Sequence, residues 1–287
     1  MPDALTIELF AADTMNAARP LSIADVEVII ANPGGGLEVE SEAGQARTLH
    51  RFTVTDATHV GYGGRWALSK DDASSVLALA CSLSNPRVLF SKSVPVWAPE
   101  PQVRRGAQDP PTGSVETIDG NVIVHVPTLE LRLEGYRPTI IVGVRLELDA
   151  GRVLGSARRL LGLRLFDRTR RSVRDGNVLN AIDAYARAGE CTEGVSCFRE
   201  LWTALEKAVN ADPVHAELNG PDLDAAAATV SGLPQARIGQ LREVNNRLKH
   251  RSGDASQAAG LVSVADSLGP LTYDLKKGAD AAILKWL

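Results

Sequence analysis

Leu241-Arg242-Glu243-Val244-Asn245-Asn246-Arg247-Leu248-Lys249-His250-Arg251 is the stretch from which the second half of this chain is read. At about 100° per residue, Leu241, Val244 and Leu248 fall on one apolar stripe, so the segment is a helix packed on a core. Glu243, Asn246, Arg247 and His250 fall on another side. Imidazole moves protons near neutral pH, and guanidinium holds an anion in a planar fork. The pattern suits phosphate chemistry, so an RNA-related site is expected here.

Helical patterning extends to either side. Val178 to Ala188 is one expected helix, with Ile182 and Tyr185 on its apolar side and Gly189 past its end. Phe198, Leu201, Trp202, Leu205 and Val209 recur at core-facing spacing in a second. Leu223 to Val230 is alanine-rich and follows Pro221. Pro234 stands early in the helix that carries the opening stretch. Ser252-Gly253-Asp254 separates it from two further candidates, Ala255 to Leu268 and Leu271 to Trp286. About five short-looped helices predict an antiparallel bundle.

The first half reads differently. Thr6-Ile7-Glu8-Leu9-Phe10, Val26 to Ile30, Leu37 to Glu40 and Arg51 to Thr55 alternate as strands do. Val76 to Ala80 and Arg87 to Phe90 are read as further short strands. Asn32-Pro33-Gly34-Gly35-Gly36 and Gly61-Tyr62-Gly63-Gly64 supply turns, and neither continues into a phosphate-cradling Gly-Lys-Ser or Gly-Lys-Thr. Asp119-Gly120-Asn121 between Val115 to Ile118 and Val122 to Val126 predicts a hairpin. Leu129 to Glu134 and Thr139 to Leu148 add two strands, and the proline-rich span 99–112 a loop. The expected fold class is therefore α+β in two domains: an N-terminal antiparallel β-sandwich or barrel over residues 1–150 and an all-α bundle over 176–287.

Residues 151–175 form a basic connector. Arg152, Arg158, Arg159, Arg164, Arg168, Arg170, Arg171 and Arg174 face only Asp167 and Asp175. One reading is a phosphate-tracking patch. The other is a solvated connector whose arginines pair with the acidic sheet domain. The sequence does not decide whether Val153 to Phe166 is a strand pair or a helix.

With 287 residues, 44% hydrophobic and 23% charged, the chain is an ordinary globular protein of net charge −4. No global basic field exists, so any RNA site rests on local charge. Three cysteines fit a reducing compartment. Cys191, Cys197 and His215 fall one ligand short of a zinc site, so no metal and no cofactor is expected. His50, His59 and His125 lie in or beside strands and are read as surface or cross-strand residues. The start, Met1-Pro2-Asp3-Ala4-Leu5, lacks a basic and then apolar leader, and no run approaches a membrane span. A cytoplasmic protein without membrane contact is expected.

Two helical segments together resemble one family. Phe198-Arg199-Glu200-Leu201-Trp202-Thr203-Ala204-Leu205-Glu206 is similar to the aromatic-rich second helix of HEPN domains. Asn245 to His250 resembles that family's terminal motif of arginine, polar residue, three variable residues and histidine. The resemblance covers about 110 residues from Asp175, and a sheet-rich domain before such a bundle is similar in layout to ApeA-like defence proteins. Asn246 and His250 match the motif, but the arginine position falls on Asn245.

The resemblance implies a homodimeric helical bundle, RNA as partner, and metal-independent endonuclease action in antiviral defence or a toxin–antitoxin system. A protein partner or phage-derived trigger would then act at the sheet domain. It places His250 as proton-transfer group, with Arg247, or Arg242 or Lys249, stabilising phosphorane charge. Asn246 would orient the imidazole or phosphate, and Glu206 would position the basic group. Lys249, Arg251, Arg168, Arg170 and Arg171 would hold RNA. The alternative is a degenerate HEPN-like module that binds RNA or assembles without turnover, because the motif arginine is missing.

Overall fold

The computed structural model describes residues 4–18, 22–43, 48–63, 68–92, 115–118, 121–124, 144–163, 173–191, 194–215, 217–249 and 255–287. By packing, residues 1–94 and 143–287 form one compact unit and Pro95–Val142 another.

In the larger unit the alternating segments form one six-stranded sheet. Strand β1 (Leu5–Ala18) is flanked by β2 (Ser22–Ile30) and β4 (Thr48–Val54), and β3 (Leu37–Ala43) pairs beyond β4. These pairings are antiparallel. β5 (Val88–Ser91) also pairs antiparallel with β1, while β8 (Val144–Leu148) adds parallel to β2. The period of two does its expected work: Leu5, Ile7 and Leu9 are buried, and Thr6 and Glu8 between them are exposed. The expected sandwich or barrel is not found among the described residues, where the inner face of the sheet meets helices instead of a second sheet.

Part of the reason is α1 (Lys70–Ser84), which contains the run Val76 to Ala80 read above as a strand. Ser69 caps it, its hydroxyl accepting from Asp72 N at 3.1 Å and donating to the Asp72 carboxylate at 2.7 Å. Every residue from Val76 to Leu83 is buried. A helix enclosed on all sides has no polar stripe, so its 3.6-residue period leaves no trace in the sequence. The undecided stretch after 150 is also a helix, α2 (Ala150–Gly162), capped by Asp149 accepting from Arg152 N at 2.7 Å. Gly61 follows a 3-10 turn (Ala57–Val60) and not a strand; its φ of +81° ends that turn.

The helical half comprises α3 (Val173–Glu190), α4 (Gly194–Asn210), α5 (Gly220–Ser231), α6 (Gln235–Lys249) and α7 (Ala255–Leu284). The two helices expected at 255–268 and 271–286 are one, with Pro270 inside it. Proline lacks one amide donor but does not end this helix. α4 packs on α3 and α7, and α7 reaches β1. Gly189 lets α3 close on β5: a Cβ there would stand 2.6 Å from the Phe90 carbonyl oxygen.

Buried apolar residues of the sheet, α1, α2 and the five later helices thus belong to one core. Sequence expects separate domains at 1–150 and 176–287; the packing joins these segments and sets 95–142 apart. Of that smaller unit the described part is the expected hairpin. β6 (Val115–Ile118) pairs antiparallel with β7 (Asn121–Val124), Ile118 opposite Asn121. The expected strands at 129–134 and 139–143 and the loop at 99–112 lie outside the described residues.

Candidate nucleic-acid interface

α6 sorts its side chains into two sets. Ile238, Leu241, Val244, Asn245 and Leu248 are buried, whereas Glu243, Asn246, Arg247 and Lys249 are exposed. The apolar stripe read from the sequence is therefore the docking face, with one addition. Asn245, in the position where an arginine is expected, is only 1% exposed, and neither its Nδ2 nor its Oδ1 has a hydrogen-bond partner. A buried amide left so costs about 1–3 kcal/mol.

Arg242 lies at the margin of that face. Its Nε donates to both carboxylate oxygens of Asp224 on α5, at 2.9 and 3.1 Å. Asp224 is 4% exposed, and its hydrogen bond and charge hold the Arg242 guanidinium more firmly protonated than usual. The sequence offers Arg242 as a stand-in for the motif arginine; its Nε is already engaged by a buried protein carboxylate. Arg237, one turn and a half earlier, is likewise held, donating from Nε to Asp274 on α7 at 2.7 Å.

Arg247 is placed otherwise. Its side chain is 68% exposed and stands 4.0 Å from Glu243, a loose pair one turn back on the same helix. Such pairs contribute a few tenths of a kcal/mol and leave the cation accessible. Asn246, Arg247 and Lys249 form an exposed set of one amide and two cations at the end of α6. Glu206, on α4, accepts from Trp202 Nε1 at 3.1 Å, an i, i+4 bond within its own helix. His250, Arg251, Arg168, Arg170 and Arg171 lie outside the described residues.

A second polar group was not foreseen. Lys276 is fully buried on α7 and donates from Nζ to the Ser82 and Asn85 carbonyls at 2.8 and 2.9 Å and to Asp280 at 2.8 Å. Tyr185 on α3 donates its hydroxyl to the same carboxylate. Desolvation lowers the affinity of the amine for its proton, and the Asp280 charge opposes that; burial pushes the Asp280 carboxyl and the Tyr185 hydroxyl up. The available signal is an i, i+4 lysine–aspartate pair, Lys276 and Asp280, on the same side of α7 as Thr272, Leu275, Ala279 and Ile283. Its chemistry is structural: the ammonium occupies the negative end of α1 and the free carbonyls there.

The adjoining cleft, lined by Ser82, Phe90, Tyr185 and Glu190, has room for about 30 Å³, enough for little more than water. His50 is buried, its ring 2.9 Å from Ser41 Oγ on the neighbouring strand and edge-on to Phe90. Among the described residues no three histidine, cysteine, aspartate or glutamate side chains gather as metal ligands, and no helix is long and apolar enough to cross a membrane. Cys191 donates its thiol to the Arg187 carbonyl, and Cys197 is buried. Comparison with family models, with curated proteins and with solved structures finds no match for this chain.

Proposed function

We propose that the helical half is an HEPN-like module that binds RNA through the exposed end of α6 without turning it over. The observation that carries this reading is Asn245. The position where the HEPN motif has its arginine is an amide enclosed in the core. Arg242, the nearest cation toward the core, is neutralised by Asp224. What α6 offers to a ligand is Asn246, Arg247 and Lys249, a set that can hold phosphate but lacks the fixed cation that stabilises a phosphorane. A role in antiviral defence or a toxin–antitoxin pair, with a homodimer through the helices and a trigger at the sheet, belongs to the same proposal.

A second reading, metal-independent endonuclease, draws on one observation: Arg247 is exposed and only loosely paired three residues before His250. It would supply the phosphorane cation, with His250 transferring the proton, Asn246 orienting the phosphate and Glu206 acting from α4. The two readings are separated by incubating labelled single-stranded RNA with the protein in EDTA, alongside an anisotropy titration. Binding that Arg247→Ala and Lys249→Ala weaken, with the RNA intact, supports the first. Cleavage to 2′,3′-cyclic phosphate ends, abolished in His250→Ala, overturns it in favour of the second.

A further inference from the structure

We draw no further inference here: the strongest candidate, the side-chain cluster on the turn after α4, where the buried His215 Nδ1 has no hydrogen-bond partner and stands 4.0 Å from an Asp212 oxygen that accepts from Lys285 at 3.3 Å, carries nothing because among the described residues no third metal-ligating group joins it and nothing shows what would occupy it.

Discussion

Lys276 and Arg247 both stand on helices of the C-terminal half, and they show two opposite fates of a cation. Lys276 has lost all contact with water and has three protein acceptors within 3 Å. Arg247 keeps two thirds of its side chain in solvent and has one distant partner. Arg242 lies between them, a quarter exposed and bound to a buried carboxylate. The lesson is that charge count along a helix says little about ligand capture. What matters is whether the acceptors are already supplied by the fold.

The largest expected effect tests the buried end of that series. Lys276→Ala leaves the buried Asp280 carboxyl without its cation and two carbonyls unpaired in the core, and urea unfolding should show a loss of about 3–5 kcal/mol. Replacing the whole group, Lys276→Met with Asp280→Leu and Tyr185→Phe, should recover part of it, since only the Ser82 and Asn85 carbonyls are then left unpaired. A triple variant no more stable than Lys276→Ala would mean that the network contributes through more than pairing. Arg242→Met comes next. It strands Asp224, but nearby solvent softens the cost, so about 1–3 kcal/mol is expected in the same measurement.

A pH series probes burial without a charge partner. Enclosure in α1 pushes the Cys81 thiol well up from its ordinary value of 9.0. Above pH 9 the unfolded chain releases a proton that the folded chain keeps, so this contribution is whole below that pH and is lost as pH rises. The difference between the parent and Cys81→Ala should therefore shrink by about 1.4 kcal/mol per pH unit above 9. A constant difference from pH 8 to 10.5 would show that the thiol ionises in place. The smallest stability effect is expected for Arg247→Ala, within about 0.5 kcal/mol by thermal melting, even where RNA affinity falls.

How much of this was legible follows from the physics of each segment. The strands read at 6–10 and 37–40 and the stripe of α6 were readable because one side of each faces water, and alternation or a 3.6 period records that fact. α1 was unreadable for the opposite reason. The same holds for Lys276: a sequence shows a lysine beside an aspartate, and only the fold shows that they close over the end of another helix. Asn245 stands where the family resemblance expects an arginine, and the packing puts this residue on the inner side of α6. Arg242 was named as a substitute because spacing along one helix is visible, whereas Asp224, on a neighbouring helix, is not.

The bond from Lys276 to the Ser82 carbonyl spans 194 residues. The order of events on the ribosome follows from that separation. The first five strands and α1 emerge before α7, yet the end of α1 has no partner for its carbonyls until Lys276 has been synthesised. Contacts so far apart in sequence close late and slowly. The N-terminal sheet is therefore a guest that must wait for α7, exposed meanwhile to whatever else in the cell binds an unfinished core.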